Sequence, residues 1–211
     1  MSATKERTEF MGRTSDAKER LLEVAFRLIW DSSYGSVSVD QICERAKVNK
    51  GSFYHFYGSK ADLAVAAYEE QWRQKQPEMD RLFSAQVSPL QRLSGWCNYV
   101  YEVQKRKAAE YGHVCGCPYG SIGCEVATQD DKIRVKAEEI MGRSLKYLES
   151  AIADAKREGS VSMEPKLAAQ NIFSLVMGTL LQAKVQNNVE LLRDLEPTVM
   201  AIIGAKTAVT T

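Results

Sequence analysis

Apolar residues recur along most of this chain at spacings of three and four, and no stretch keeps up a strict alternation, so helices are predicted throughout. Leu21, Leu22, Ala25, Leu28 and Ile29 make the stripe of an amphipathic helix, expected to begin near Ser15 or Asp16 and to end before Tyr34-Gly35. Ser38-Val39-Asp40-Gln41 reads as a capping box, in which the Ser hydroxyl accepts from the Gln41 amide and Gln41 reaches back. Behind it Val39, Ile42, Cys43 and Ala46 repeat at helical spacing, giving a two-turn helix to about Ala46. Lys47-Val48-Asn49 then breaks the pattern.

The next stretch, Asn49 to Lys60 (NKGSFYHFYGSK), is crowded with rings. It lacks alternation and is followed by a second capping box, Ser59-Lys60-Ala61-Asp62, so it is predicted as a short helix rather than a strand. Phe53, Phe56 and Tyr57 fall on its inward face, which leaves Gly51, Ser52 and His55 outside, with Tyr54 on the flank. The second box launches a long helix through Leu63, Ala67 and Trp72 to about Lys75.

Beyond Pro77 the register changes. Ser88-Pro89 opens a helix that keeps Leu90, Leu93, Cys97, Val100 and Gln104 on one stripe. The glycine-rich run YGHVCGCPYGSIG, 111–123, reads as irregular with room for a short helix. Thr128 and Asp131 are the expected caps of a helix that carries Ile133, Ala137, Ile140, Leu148 and Ile152 and ends at Gly159. Pro165 opens LAAQNIFSLVMGTLLQAKV, which is apolar over most of its circumference, and a last segment from Leu191 to Ile203 is broken or restarted at Pro197. A helix apolar on nearly all sides buries one face in its own domain and another in a partner. The fold class is therefore all-α: an N-terminal three-helix helix-turn-helix unit joined to a larger helical bundle. The expected divisions are a flexible arm over 1–14, a helix-turn-helix domain over 15–62 and a larger domain over 63–211.

Composition adds only bounds. Of 211 residues, 45% are hydrophobic and 26% charged, as in ordinary globular proteins, and the net charge of +1 excludes neither nucleic acid nor any other partner. No apolar run approaches the ~18 residues of a membrane span, and the N-terminus has no apolar signal core, so a cytoplasmic location without membrane contact is expected. Two histidines far apart in sequence, with no nucleophile–base or paired-carboxylate pattern, argue against an enzyme.

The run SVDQICERAKVNKGSFYHFYGSKADL resembles the N-terminal domain of the tetracycline-repressor (TetR) family of transcriptional regulators. The matching residues are Ser38, Ile42 (with Cys43 in place of the usual Ala), Val48-Asn49-Lys50-Gly51, Tyr54-His55-Phe56-Tyr57 and Ser59-Lys60 with Leu63. The resemblance covers about residues 15–65, whereas the remainder matches in size and helix count alone. It implies a homodimer on palindromic double-stranded operator DNA, released when a small-molecule effector binds the C-terminal domain. The contacts it implies are Ser38, Lys50, Gly51, Ser52, Tyr54, His55 and Lys60, with hydroxyls and ammonium groups meeting phosphate. No cofactor is implied.

Trp96, Tyr99, Cys117, Tyr119, Phe173 and Met177 are the candidates to line an effector cavity, and for each the alternative is ordinary core. The cysteines leave a second trigger open. Cys115, Cys117 and Cys124, near His113 and Glu125, suit a thiol- or metal-responsive sensor on the same DNA-binding module. Their spacing matches no closed zinc motif, so no metal site is assigned, and structural filling is the competing role.

Overall fold

The computed structural model describes residues 2–205, with backbone alone over 2–15. Regular structure among these residues is helical. It comprises α1 (Ser2–Asp31), α2 (Val39–Ala46), α3 (Lys50–Phe56), α4 (Lys60–Leu82), α5 (Pro89–Tyr111), α6 (Pro118–Val126), α7 (Asp131–Arg157), α8 (Pro165–Val185), a 3-10 turn (Val189–Leu192) and α9 (Leu195–Ile202). Two compact units emerge. Of the described residues, the first holds 2–74 and 121–138, and the second holds 75–120 and 139–205. Residues 63–74 and 121–138, expected in the larger domain, thus group with the helix-turn-helix.

Several element bounds differ from the expected ones. α1 begins at Ser2 rather than near Ser15, so its backbone is helical through the stretch expected as an arm, where no proline interrupts it. α4 continues past Lys75 to Leu82 with Pro77 inside it. A proline there costs one intrahelical bond, and Met79, wholly buried, helps hold the helix beyond it. α7 is capped by Asp130, whose Oδ1 accepts from the Ile133 amide at 3.1 Å, rather than by Thr128 or Asp131. α9 starts at Leu195, which puts Pro197 in its first turn, where a missing N–H has no bond to lose.

The core of the first unit is built on α1. Leu21, Ala25, Phe26, Ile29 and Trp30 are buried against Ile42, Cys43 and Ala46 of α2, Phe53 of α3 and Leu63, Ala67 and Tyr68 of α4. The Phe26 ring meets Trp30 at 5.4 Å and Tyr68 edge-on at 5.2 Å. Burial of a side chain as complete as Phe53 contributes about 1.5–3 kcal/mol.

In the second unit α5 packs on α9, and α8 packs on α9 and the 3-10 turn. Leu93, Trp96, Ile152, Ile172, Val176, Leu180, Leu195 and Val199 fill the space between helices. One charged tie runs through it. Arg92, 5% exposed, donates from Nε to the Val87 carbonyl and from Nη1 to Asp154 at 2.5 Å. α8 buries Ala168, Ala169, Ile172, Val176, Leu180 and Ala183, yet it leaves Leu167, Leu181 and Val185 exposed on its other side.

Candidate nucleic-acid interface

The predicted capping box forms as expected. Ser38 Oγ accepts from the Gln41 amide at 3.1 Å and Gln41 Oε1 accepts from the Ser38 amide at 2.8 Å, fixing the first turn of α2. α2 ends with Lys47 in the left-handed region (φ 54°). The Val48 amide donates to the Cys43 carbonyl and the Lys47 amide to the Glu44 carbonyl, a Schellman closure that turns the chain sharply toward α3. Asn49 then caps α3, its Oδ1 accepting from the Ser52 amide at 2.7 Å. Local caps thus shape the turn between the two helices, one at a time.

α3 has one anchored face and one open face. Phe53 is wholly buried, Tyr57 is 6% exposed and Phe56 is half-buried. Opposite them Lys50, Gly51, Tyr54 and His55 are exposed and Ser52 is half-buried. Tyr54 is 59% exposed, and its ring stands edge-on against Phe53 at 4.9 Å, so a buried ring steadies an exposed one. The Lys50 ammonium pairs with Asp40 at 2.7 Å, both side chains lying mostly in water. An exposed pair of this kind is held weakly and yields readily to a phosphate.

Lys60 stands differently. Its ammonium donates to the Tyr34 carbonyl at 2.9 Å and the Val37 carbonyl at 3.0 Å and sits 4.0 Å from the centre of the Tyr34 ring. Burial pushes its pKa down, while the charge of Glu125 pushes it up. Glu125, which the sequence suggested only as a neighbour of the cysteines, accepts from the backbone amides of Tyr34 at 2.9 Å and Gly35 at 2.6 Å. A Cβ on residue 35 would lie 3.0 Å from Glu125 Oε1, so glycine permits this approach. No local signal predicts the pairing, which joins residues about ninety apart in sequence.

All six candidate effector residues lie in the second unit. Trp96 and Tyr119 are buried, whereas Tyr99, Cys117, Phe173 and Met177 are half-buried. Cys117 Sγ accepts from the Gly120 amide at 3.4 Å at the start of α6. A Cβ on Gly120 would come within 2.4 Å of Met177 Cε and 3.7 Å of Cys117 Sγ, so these three residues meet at one corner. Buried Gln104 holds the loop before it, exchanging two 3.0 Å bonds with the Gly116 backbone. Lys75, unnoticed in the sequence, places its ammonium 5.7 Å from the Tyr99 ring. Burial lowers its pKa, and a thiolate at Cys117 would oppose that shift. A cavity of about 410 Å³ opens elsewhere in this unit, between Cys97, Tyr101, Leu192 and Arg193, and none of the six expected residues lines it. The cysteine trio divides: Cys115 and Cys117 belong to the second unit and Cys124 to the first. Among the described residues, no three His, Cys, Asp or Glu side chains are grouped to hold a metal ion.

Comparison with known proteins gives two family matches. Residues 21–67 match the family described as bacterial regulatory proteins, tetR family, and residues 89–198 match the tetracyclin repressor-like C-terminal domain. The transcriptional regulator AcuR of Cereibacter sphaeroides is 27% identical over 173 residues, 81% of this chain and 77% of that protein. The transcriptional repressor NemR of Escherichia coli is 23% identical over 178 residues, 83% of this chain and 87% of its own. Among solved structures, a TetR regulatory protein from Rhodobacter sphaeroides superposes with a TM-score of 0.77 at 24% identity, covering 88% of this chain and 98% of that one. No described helix is long and apolar enough to cross a membrane.

Proposed function

Because the chain belongs to the tetR family of bacterial regulatory proteins and is thus a DNA-binding transcriptional regulator, we propose that it is a repressor that a small molecule releases from a palindromic operator. The observation that carries this reading is the open face of α3. A seven-residue helix with a wholly buried Phe53 on one side exposes Tyr54, His55 and Lys50 on the other. An exposed aromatic hydroxyl beside an ammonium suits a phosphate backbone, and a short helix seated this way suits the major groove. Ser38, Lys50, Gly51, Ser52, Tyr54 and His55 are the operator contacts of this reading. Lys60 is set apart, since its ammonium already serves two carbonyls.

Two copies joined through the exposed side of α8 would present two such helices to successive grooves. The effector region is assigned to the corner of Cys117, Tyr119 and Met177 with Lys75 and Tyr99. An effector bound there would act by favouring the conformation with lower operator affinity.

The test uses a duplex selected from random-sequence DNA by the wild-type protein. Lys50→Ala should weaken binding and reduce the log–log salt slope by about one unit, and Tyr54→Phe should weaken binding on all sequences. Wild-type behaviour of both variants would remove α3 from the interface.

A further inference from the structure

The turn between α1 and α2 is gripped from two sides by charged groups. Glu125, in the last turn of α6, takes the amides of Tyr34 and Gly35, and Lys60 takes the carbonyls of Tyr34 and Val37. Both grips lie within the first compact unit. Gly35 is exposed, so water was available to its amide, yet a carboxylate from a distant part of the chain occupies it. Bonds from two successive backbone amides to one carboxylate are charge-assisted and fix direction as well as distance.

We propose that Glu125 is a positioning residue for operator binding, holding the α1–α2 turn so that α2 and α3 meet DNA in register, and that Lys60 shares this role rather than neutralising a phosphate. The proposal rests on the operator-binding reading above. Its physical basis is the short lever that follows the turn. Three residues after Gly35 the chain reaches Ser38, the cap of α2, and α2 packs on both α1 and α3. Groove contacts have hydrogen-bond tolerances of a few tenths of an ångström, so a small displacement of Ser38 costs several contacts at once. An ammonium has three donors, and Lys60 has committed two of them to carbonyls and its charge to the face of Tyr34. The chemistry of the clamp also discriminates between side chains. A Gln at 125 keeps one acceptor oxygen but turns its NH2 toward a backbone donor, whereas Ala leaves both amides to water.

The variants Glu125→Ala, Glu125→Gln, Gly35→Ala, Glu125→Ala/Gly35→Ala and Lys60→Met are compared with wild type. Each is measured on the selected duplex over a range of salt, on a shuffled duplex, by thermal melting, and by amide exchange of 31–38 without DNA. Glu125→Ala should lose about tenfold or more on the selected duplex while binding the shuffled one and melting as wild type does, with Glu125→Gln between them. The Tyr34 and Gly35 amides should exchange faster in Glu125→Ala. Gly35→Ala, whose Cβ presses on Oε1, should lose affinity alone and lose nothing further when Glu125 is already Ala. Lys60→Met should weaken selected binding with its salt slope unchanged. Wild-type affinity in Glu125→Ala, additive losses in the double variant, or equal losses on both duplexes would overturn the positioning role. A slope change of about one unit would return Lys60 to the phosphates. Should wild type enrich no duplex, the regulator reading fails instead, and amide exchange alone decides whether the clamp exists.

Discussion

Tyr54 and Tyr57 are the same side chain three positions apart, and their places, on the open face of α3 and at its extended C-terminal cap, give them opposite circumstances. Tyr54 is 59% exposed and offers its hydroxyl to solvent, whereas Tyr57 is 6% exposed and its hydroxyl has no hydrogen-bond partner among the described residues. Burial pushes the Tyr57 phenol up to about 12 from its ordinary value of 10. Replacing Tyr57 by Phe removes a buried polar atom without removing the ring, so urea unfolding should show equal stability or a gain of about 1 kcal/mol. The pH dependence has a definite sign. A phenol whose folded pKa is raised stabilises the protonated fold, an advantage fully present below pH 10 and lost as pH rises toward about 12. Wild type should therefore lose stability more steeply than Tyr57→Phe across that window. A loss of more than about 1 kcal/mol in the variant at neutral pH would mean that the hydroxyl contributes to the core after all.

At the level of elements, what could be read in the sequence was what neighbours along the chain decide. The Ser38 box and the inward Phe53 are written within three or four residues of where they act, and each is found in place. The Asn49 cap is equally local, though the sequence pattern predicts only a break there. The continuation of α4 through Pro77, helped by buried Met79, was not legible, and the α7 cap, though local, falls on Asp130 rather than on Thr128 or Asp131. The Glu125 clamp and the Lys75–Tyr99 approach join segments tens of residues apart, and nothing in their local spacing marks them. The tie between α5 and α7 belongs to the same class. Hydrogen bonds from Arg92 and then Arg157 hold the Asp154 carboxyl below the usual carboxylate range. Such a group stabilises the fold above its unfolded pKa and ceases to do so as pH falls through its folded value, so this tie weakens only in acid. Asp154→Asn leaves a buried guanidinium without a charged partner and should cost about 3 kcal/mol in urea at neutral pH. A cost under about 1 kcal/mol would show that Arg92 relaxes onto the Val87 carbonyl alone.

On the scale of the whole molecule, the exposed side of α8 matters most. Leu181 is 63% exposed and Val185 77%, one turn apart on a helix whose opposite side is fully packed. Leu181→Glu places a charge at the centre of the proposed two-fold contact. Sedimentation should then show single chains that keep their helical content and no longer hold the selected duplex. A variant that stays dimeric would move the contact elsewhere. If the face closes only against a second copy, the amount of protein becomes a regulatory variable in its own right. Below the dissociation constant of the pair, dimers form in proportion to the square of the free chain concentration. A modest fall in synthesis, or a simple dilution as a cell grows, would then empty operators far more steeply than the loss of chains alone, with no effector involved.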